Sequence, residues 1–428
     1  MSPSSVTTPL ALAPCPPGRV FTWPVPGSKS ITNRALVLAA LAEGTTVLGN
    51  VLESDDTRHM RTALEAMGAA CRAGPAPGEL VVEGGLSRLR APRTPILVGN
   101  SGTTVRFLSG VAALLPGPTT LVGDAHMAKR PIADLVEALR HLGVTVDCPT
   151  GCPPLTIRGG ALRGGRVRMR GDRSSQYFTA LLLVAGLGSD DLAIDIEGTL
   201  VSEPYLQMTC AMVGSFGGHI ERTATGFLAR PASRHALPGY RIEPDASAAS
   251  YPFALAAAGQ HDITVAGLDR RSLQGDYAFV DLLAQMGARV DVQDGQTRVI
   301  GTGRLDGVDV DMHHISDTAM TLAAIAARAS GPTTIRNVAN IRIKETDRLA
   351  AMVTELRRLG QNVEHGADWL RMTPSPLRPA LIECYGDHRI AMSFGVLGAI
   401  AGGVTIADPA CVAKTYPAFW DDLATFAR

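Results

Sequence analysis

The sequence predicts an α/β protein in which one helix–strand unit is repeated six times. Helices of small apolar residues begin at sites roughly 70 residues apart, near Ser30, Thr103, Ser175, Ala248, Asp317 and His388. A second, amphipathic helix ends in an apolar-Gly step at Gly68, Gly143, Gly217, Gly287 and Gly360. Short β-branched strands lie between these helices, an alternation typical of α/β folds.

The first helix of each unit is predicted to be buried. Residues 35–42, for example, carry no Lys or Glu, and small side chains allow close packing against neighbours. The strands that follow these helices are predicted at residues 45–47, 119–121, 194–196, 263–265, 333–335 and 404–406. The second helices are predicted at residues 60–67, 132–142, 205–216, 279–286 and 349–359.

A Pro-rich break between Pro231 and Asp245 divides the six units three and three. It favours two similar domains over one closed ring, with residues 28–244 in the first and 245–428 in the second. Residues 1–18 are rich in Ser, Thr and Pro and lack the features of a signal peptide, so we expect a frayed extension there.

Composition limits the classes of partner. The formal net charge of +0 gives no overall attraction to nucleic acid or to an anionic membrane. The seven cysteines have irregular spacing, which favours reduced thiols in a cytoplasmic protein over disulfides or a metal site. The most apolar stretch, residues 390–407, predicts a buried helix, a turn and a strand rather than a membrane span. His261 and the pair His313-His314 have no partners at metal-ligand spacing.

Polar clusters open the first three helices. The segments are Pro26-Gly27-Ser28-Lys29-Ser30 with Asn33-Arg34, Gly99-Asn100-Ser101-Gly102-Thr103-Thr104-Val105-Arg106 with the later Arg130-Pro131, and Ser174-Ser175-Gln176 with the later Ser202-Glu203-Pro204-Tyr205. Helix N-termini carry partial positive charge and unpaired N–H groups, so such segments can bind anions. Taken alone, each of the first two clusters could equally be an ordinary helix cap beside solvated cations, and Ser174-Ser175-Gln176 is more often a cap only.

The last three helix starts differ from one another. The fourth, Glu243-Pro244-Asp245-Ala246-Ser247, has no cation and is predicted to be structural. In the first unit, by comparison, Asp55, Asp56 and Arg58 precede the second helix and resemble a capping group. The fifth unit supplies Ser316-Asp317-Thr318 and Lys344-Glu345-Thr346-Asp347-Arg348, and the sixth supplies Gly386-Asp387-His388-Arg389 and Lys414.

These clusters together predict a local cationic site in a neutral protein. The cations are Lys29, Arg34, Arg130, Lys344, Arg348, Arg389 and Lys414, against two acids, Asp317 and Glu345. The ligand should therefore be small and multiply anionic, bound by two closing domains. No metal set, dinucleotide fingerprint or nucleophilic triad accompanies the cations. The two acids would then transfer protons while Lys and Arg stabilise negative charge.

From about Val25 to Trp420, these motifs resemble the 5-enolpyruvylshikimate-3-phosphate synthase family. The resemblance implies two similar domains, each with three βαβαββ units (an inside-out α/β barrel), and an active site in the cleft between them. It also implies that residues 1–27 join the C-terminal half. The implied reaction transfers the enolpyruvyl group of phosphoenolpyruvate to the 5-hydroxyl of shikimate 3-phosphate, through a tetrahedral intermediate and without a cofactor or metal.

The resemblance further implies residue roles. Those implied to bind shikimate 3-phosphate are Lys29, Ser30, Arg34, Ser174, Ser175, Gln176, Ser202, Tyr205, Asp317, Asn340 and Lys344. Those implied to bind phosphoenolpyruvate are Lys29, Asn100, Gly102, Arg130, Gln176, Arg348, Arg389 and Lys414. Asp317 would take the 5-hydroxyl proton, and Glu345 would handle the proton at the methylene carbon with assistance from Lys29. Because Gly102 leaves space that Ala would fill, the resemblance also implies competition between glyphosate and phosphoenolpyruvate.

Two alternatives compete with this interpretation. A related transferase acting on UDP-N-acetylglucosamine typically has Cys where this chain has Ala125, and Ser174-Ser175-Gln176 also favours the phosphoshikimate substrate. A non-catalytic anion-binding repeat protein would not need Asp317 and Glu345. The remaining expectations are a cytoplasmic monomer whose partners are its small-molecule substrates, with no nucleic acid and no membrane.

Overall fold

A computed structural model describes residues 8–428 of the chain. The chain forms two compact units. Gly27–Glu243 is called the first domain here, and Pro244–Arg428 together with the chain up to Pro26 is called the second domain.

The segment before Gly27 contributes two short strands to the second domain, β1 (Leu10–Leu12) and β2 (Val20–Thr22). The frayed extension predicted for residues 1–18 is therefore wrong for residues 10–12, because these residues are paired in a sheet. Residues 1–7 lie outside the described part of the chain.

The first domain alternates helices with strands, as predicted. Its α-helices are α1 (Lys29–Leu41), α2 (Asp55–Ala66), α3 (Gly102–Leu114), α4 (Ala133–His141), α5 (Ser175–Val184) and α6 (Pro204–Ser215), with a 3₁₀ turn at Met127–Lys129. Its strands are β3 (Gly44–Gly49), β4 (Ala70–Ala73), β5 (Leu80–Gly84), β6 (Ile96–Gly99), β7 (Gly117–Gly123), β8 (Thr145–Asp147), β9 (Leu155–Gly159), β10 (Gly165–Arg170), β11 (Leu192–Glu197), β12 (His219–Arg222), β13 (Gly226–Arg230) and β14 (Tyr240–Arg241).

The second domain repeats the pattern. Its α-helices are α7 (Ala246–Gly259), α8 (Phe279–Gln285), α9 (Ala319–Ile325), α10 (Arg348–Arg358), α11 (His388–Ala401) and α12 (Phe419–Ala427). Short 3₁₀ helices occur at Gly275–Ala278, Ser316–Thr318, Ala326–Arg328, Ala339–Ile343 and Pro409–Lys414. Its further strands are β15 (Asp262–Ala266), β16 (Arg289–Gln293), β17 (Gln296–Ile300), β18 (Asp309–Asp311), β19 (Thr333–Arg336), β20 (Asn362–His365), β21 (Leu370–Thr373), β22 (Ala380–Ile382) and β23 (Val404–Ile406).

The sheets show the sixfold repeat directly. In the first domain their strand orders are β14-β3-β5-β4, β6-β7-β9-β8 and β10-β11-β13-β12. In each sheet the first pair is parallel and the other two pairs are antiparallel. The chain order β6-α3-β7-α4-β8-β9 is the implied βαβαββ unit.

The second domain completes two of its sheets with the N-terminal strands. Its orders are β16-β17-β15-β2, β18-β19-β21-β20 and β1-β23-β22. β2 lies parallel to β15, while β1 runs antiparallel to β23 with Leu10 opposite Ile406. The N-terminal segment therefore supplies strands that the 244–428 segment lacks.

The small-residue helices form the centre of each domain. In α1 every residue from Ile31 to Leu41 is buried, and α1 packs on α3 and α5. Helices α3 and α5 approach so closely that a Cβ at Gly110 would come within 2.1 Å of the Ala180 carbonyl oxygen. In the second domain α7, α9 and α11 pack together in the same way. The predicted burial of the first helices is confirmed.

The apolar stretch 390–407 forms most of α11, a turn at Gly402 and Gly403, and β23, as predicted. Both glycines have positive φ, +71° and +72°, a conformation that other residues rarely adopt. Of the helices described in residues 8–428, none has the length and apolar character needed to span a bilayer.

The buried His261 predicts a pH-dependent stability. Its ring is 1% exposed and packs edge-on against Phe426 at 4.9 Å, and neither ring nitrogen has a hydrogen-bond partner within the described residues. Burial, with a smaller effect from Arg19, lowers the pKa of His261 from 6.5 to about 4. Between these values the unfolded chain binds a proton that the folded chain does not. The free energy of unfolding should therefore fall by about 1 kcal/mol per pH unit as pH decreases through this window.

Urea unfolding at intervals between pH 7 and pH 4 measures this effect. His261→Phe keeps a ring against Phe426 and removes the titration, so its stability should change less over the same window. Equal slopes for the two proteins would contradict the assignment to His261.

Candidate active site

The N-terminus of α1 presents Lys29 beside an acid. Ser28 caps the helix by accepting the Ile31 N–H at 3.4 Å, and Lys29 is the first helical residue. The Lys29 Nζ lies 3.5 Å from Oδ2 of Asp56, which is 3% exposed in the first turn of α2. Ser54 caps α2, so the prediction of a capping role is wrong for Asp56. Asp56 is the buried counter-charge of Lys29.

Arg34 ties α1 to α5 and α6. Its guanidinium donates to the hydroxyls of Thr209 (2.8 Å) and Thr179 (3.4 Å) and to the carbonyls of Ser30 (2.8 Å) and Tyr205 (3.2 Å). Burial lowers the pKa of Arg34 to about 10. The four bonds occupy most of its five N–H donors, so Arg34 holds the helix ends together as well as supplying positive charge.

Arg130 lies over the start of α3. Its Nη1 donates to Asn100, to the backbone oxygen at 3.3 Å and to Oδ1 at 3.4 Å. A Cβ on Gly102 would lie 2.6 Å from Nη2 of Arg130 and 2.8 Å from Nη1 of Arg106. The space predicted beside Gly102 is therefore bounded by two guanidinium groups. The structure brings the predicted residues Asn100, Gly102 and Arg130 together.

Arg106 is a site residue that was not assigned from the sequence. It is 4% exposed, and it donates to Oε1 of Gln176 at 2.6 Å and to the Pro131 carbonyl at 3.3 Å. Gln176 in turn donates from Nε2 to Thr103 at 3.3 Å. Because Arg106 binds Oε1, the Gln176 amide is oriented with its Nε2 donor towards Thr103. Arg106 lies in the second turn of α3, as Arg34 does in α1, but this position alone did not show that it binds Gln176.

The remaining predicted residues of the first domain lie at two helix starts. Ser174 caps α5 by accepting the Gln176 N–H at 3.3 Å, and Ser175 is the first residue of that helix. Ser202 is 5% exposed and has a φ of +53°, in the sparsely populated left-handed region. Its carbonyl accepts the Tyr205 N–H at 3.1 Å. Strained backbone of this kind is frequent at ligand sites.

In the second domain one guanidinium holds three acids. Arg348, the first residue of α10, is 2% exposed. It donates to Asp387 (2.7 and 3.3 Å), to Glu345 (2.7 Å) and to Asp317 (3.3 Å). Burial alone would lower the pKa of Arg348, but the charges of Asp387, Glu345 and Asp317 outweigh it and raise the pKa above its ordinary value.

Asp387 was also not assigned from the sequence. It is fully buried, caps α11 by accepting the Arg389 N–H at 2.9 Å, and binds Arg348 through both carboxylate oxygens. Its position directly before His388-Arg389 identifies it as a cap. The second role depends on Arg348, 39 residues away in the sequence.

Cations surround both candidate proton-transfer groups. Asp317 accepts from Arg389 at 2.9 Å and from Arg348 at 3.3 Å, and Lys344 lies 3.9 Å away. The Nζ of Lys414 lies 3.8 Å from Oε1 of Glu345. The two carboxylates are thus held in position by the cations that bind them.

Asn340 lies beside the start of the fifth small-residue helix. It donates from Nδ2 to Ser316 Oγ at 2.9 Å, next to Asp317. All predicted residues of the second domain thus belong to one group. The expectation of only two well-placed acids is wrong, because Asp56 and Asp387 are also paired with site cations.

The predicted residues form one group in each domain. In both groups cations line helix N-termini, an arrangement that can bind a small anion. The group in the second domain also holds three carboxylates, those of Asp317, Glu345 and Asp387, on the guanidinium of Arg348. Within residues 8–428 no cluster of three His, Cys, Asp or Glu side chains could hold a metal ion. Repeated α/β domains with these groups fit a class of enzyme that acts on small anionic substrates and has carboxylates available for acid–base catalysis.

Comparison with known proteins agrees with this class. The family model described as EPSP synthase (3-phosphoshikimate 1-carboxyvinyltransferase) matches residues 21–423. The chain belongs to this family of transferases.

Among the similar curated proteins is the 3-phosphoshikimate 1-carboxyvinyltransferase of Shewanella piezotolerans, 45% identical over 94% of this chain and 96% of the relative. The Nostoc protein of the same name is 42% identical over 93% and 95% of the two chains. Among solved structures, EPSP synthase from Acinetobacter baumannii aligns with a TM-score of 0.81 and 26% identity, covering 98% of each chain. The enolpyruvyl transferase NikO from Streptomyces tendae shares the fold, with a TM-score of 0.79 at 19% identity.

Proposed function

We propose that this enzyme transfers the enolpyruvyl group of phosphoenolpyruvate to the 5-hydroxyl of shikimate 3-phosphate and releases phosphate. One observation carries the proposal: Arg348 holds Glu345 and Asp317 on a single guanidinium, with Lys414 and Lys344 beside their carboxylates. Addition of a hydroxyl to an enol phosphate, followed by elimination of phosphate, requires one proton to move at an oxygen and one at a carbon. Two fixed carboxylates among cations match that need.

The proposed substrate contacts follow the two groups. Shikimate 3-phosphate would contact Lys29, Ser30, Arg34, Ser174, Ser175, Gln176, Ser202, Tyr205, Asp317, Asn340 and Lys344. Phosphoenolpyruvate would contact Lys29, Asn100, Gly102, Arg130, Gln176, Arg348, Arg389 and Lys414. The four cations Lys29, Arg34, Arg106 and Arg130 in the first domain support binding of substrates that carry phosphate and carboxylate groups.

The proton transfers are assigned to two acids. Asp317 takes the proton of the attacking 5-hydroxyl, and Glu345 delivers a proton to the methylene carbon of phosphoenolpyruvate with the assistance of Lys29. The tetrahedral intermediate then loses phosphate as Glu345 removes a methyl proton. The cations stabilise the phosphate that leaves.

The direct test measures phosphate released from phosphoenolpyruvate by the purified chain. Release is expected with shikimate 3-phosphate as acceptor and not with UDP-N-acetylglucosamine. Release only with the sugar nucleotide would favour the related transferase, and release with neither acceptor would favour a binding protein. The family match favours neither alternative.

Gly102→Ala is expected to raise the KM for phosphoenolpyruvate about tenfold or more. The added Cβ would lie within 2.8 Å of both Arg130 and Arg106, so at least one guanidinium must move. Overpacking of a fixed site costs about 1–3 kcal/mol. Initial rates against phosphoenolpyruvate concentration measure the change.

Gly214→Ala is the matched control, because Gly214 lies within α6 and a Cβ there would meet nothing within 4 Å. Its KM should stay within twofold of the wild-type value. If Gly102→Ala behaves like this control, the steric argument is wrong. Glyphosate should compete with phosphoenolpyruvate in the wild-type enzyme, and inhibition independent of phosphoenolpyruvate would contradict that.

We also propose a cytoplasmic monomer. In the part of the chain that the structure describes, the exposed large hydrophobic side chains, such as Val20, Leu97 and Tyr385, are few and do not suggest an extended apolar face. The seven cysteines are all unbridged, which suits a reducing compartment. Sedimentation velocity at micromolar concentration should give the mass of one chain. A dimer mass would contradict the proposed monomeric state.

A further inference from the structure

A buried carboxylate in α10 binds the turn that leads to Asp387. This turn, residues 383–386, connects β22 to α11, and the carboxylate is that of the fully buried Glu355. The Tyr385 hydroxyl donates to Oε1 of Glu355 at 2.6 Å, and the Glu383 N–H donates to Oε2 at 3.2 Å. Glu355 therefore holds both a side chain and the backbone of the turn.

The same turn is bound to α10 at a second point. Asp387, which follows the turn, binds Arg348 at the start of α10, and Arg348 lies about two helical turns before Glu355 on the same face of the helix. Within the turn, the Asp387 N–H donates to the Cys384 carbonyl at 2.8 Å. Because this bond links the two points, a displacement at Glu355 is passed on to Asp387 and to the start of α11.

Tyr385 has an uncommon backbone conformation that needs support from its neighbours. Its φ of +57° lies in the left-handed region, which bulky residues rarely adopt, and the residue is 41% exposed. Such conformations persist where the surrounding structure holds them. Burial, with a smaller effect from Glu355, raises the pKa of Tyr385 to about 12. The phenol therefore stays protonated at neutral pH and donates to Glu355, which helps to hold the turn.

We propose that Glu355 and Tyr385 are positioning residues that set the affinity of the enzyme for phosphoenolpyruvate through the turn before α11. Their effect passes through Asp387, which holds Arg348, and through Arg389, which lies in the first turn of α11. Both arginines are proposed contacts of phosphoenolpyruvate. The effect on this substrate therefore rests on the proposed function, whereas the positioning of the turn does not.

The expected effect is selective for one substrate. Asn340 and Lys344, which are proposed to bind shikimate 3-phosphate, lie in and directly after the 3₁₀ helix that precedes α10. A displaced turn moves the start of α11 instead, and a shift of about 1 Å at a fixed site can change activity by up to about a hundredfold. The KM for phosphoenolpyruvate should therefore change much more than the KM for shikimate 3-phosphate.

Two variants test the pair by kinetics. Tyr385→Phe removes one hydroxyl and leaves the Glu383 N–H on Glu355, so we expect a rise of about fivefold in the KM for phosphoenolpyruvate. Glu355→Gln turns an NH₂ group towards one of the two donors, and a rise of about tenfold or more is expected. The KM for shikimate 3-phosphate and kcat should stay within about twofold. Adding Tyr385→Phe to Glu355→Gln should change little, because both remove the same contact.

Arg357→Met is the matched control, because it loosens the same end of α10 in another direction. Arg357 donates to the Val363 carbonyl at 2.6 and 3.2 Å and so binds α10 to β20. The stability of this variant should fall, as urea unfolding would show, but its KM for phosphoenolpyruvate should stay within about twofold of the wild-type value. If its KM rose as much as that of Tyr385→Phe, general loosening of α10 would explain the effect and the proposal would be overturned.

Hydrogen exchange of the full-length enzyme, followed by mass spectrometry, tests the positioning without reference to catalysis. Peptides covering residues 380–391 should exchange faster in Tyr385→Phe than in the wild type, whereas Arg357→Met should instead affect peptides covering β20. Unchanged exchange of residues 380–391 in Tyr385→Phe would overturn the positioning role. Faster exchange with an unchanged KM would overturn the effect on affinity. Because the wild type is assayed first, a failure of the proposed function appears there and leaves the exchange result standing.

Discussion

Glu345→Gln is expected to lower kcat by about 10²- to 10⁴-fold, the usual contribution of a positioned acid or base. Glutamine has the shape of glutamate and its carbonyl oxygen can still accept the Arg348 hydrogen bond, observed at 2.7 Å. Its amide cannot exchange a proton with the methylene carbon. Substrate affinity should therefore change much less than the rate. Phosphate release at saturating substrate measures kcat, and Glu364→Gln, at an exposed position of β20, is the control.

The separate roles proposed for Asp317 and Glu345 can be tested with the tetrahedral intermediate. This intermediate is trapped from a single turnover of the wild-type enzyme and supplied to each variant. Both directions of its breakdown require removal of a methyl proton, which is the proposed role of Glu345. Only the return to shikimate 3-phosphate requires protonation of the 5-oxygen, which is the proposed role of Asp317.

Glu345→Gln should consequently stall the supplied intermediate in both directions, whereas Asp317→Asn should convert it almost entirely to product and phosphate. Breakdown by Glu345→Gln at the wild-type rate would remove Glu345 from the mechanism. Equal stalling of both variants would show that the two acids act as one unit.

Local sequence signals predicted the helices well because the caps are local. The predicted starts at Ser30, Thr103 and His388 lie within one residue of the observed helices, which begin at Lys29, Gly102 and His388. Each follows a side chain that accepts a hydrogen bond within its own first turn: Ser28, Ser101 and Asp387 respectively. Such a signal needs no information from the rest of the chain.

The N-terminal strands had no comparable signal. Leu10–Leu12 is three residues long, and its partner Val404–Ile406 lies at the opposite end of the sequence. A short edge strand is specified by the sheet that receives it rather than by its own composition. The segment therefore resembled a frayed extension.

The site residues also divide into those with a local sequence signal and those whose partners are distant in the sequence. The cations at helix starts were recognisable because N-termini attract anions wherever they occur. Arg106 and Asp387 were not assigned, because their roles depend on Gln176, 70 residues away, and on Arg348, 39 residues away. Residues that position other residues are visible only in the folded chain.

Asp387→Asn separates the two roles of this carboxylate. Asn is as good a helix cap as Asp, so its Oδ1 can still accept the Arg389 N–H, observed at 2.9 Å. Its NH₂ group would then face the Nε–H of Arg348 at the position where Oδ2 accepts at 2.7 Å. Two donors would meet, and the buried Arg348 would lose a full counter-charge. Breaking such a pair costs about 3–5 kcal/mol.

We therefore expect a loss of about 3 kcal/mol in the free energy of unfolding. We also expect a rise of at least about tenfold in the KM for phosphoenolpyruvate, because Arg348 would keep only Glu345 and Asp317 as partners and would shift towards them. Urea unfolding and initial rates measure the two effects.

Asp347→Asn is a closely matched control. Asp347 also caps a helix, accepting the Ala350 N–H at 3.0 Å, and also binds an arginine, Arg342, at 2.7 Å. Its side chain is 40% exposed, whereas Asp387 is fully buried. Exposed pairs contribute about 0–1 kcal/mol, so this variant should remain close to the wild type in stability and KM. If both variants lost the same stability, burial would not be the source of the effect, and Asp387 would be a helix cap alone.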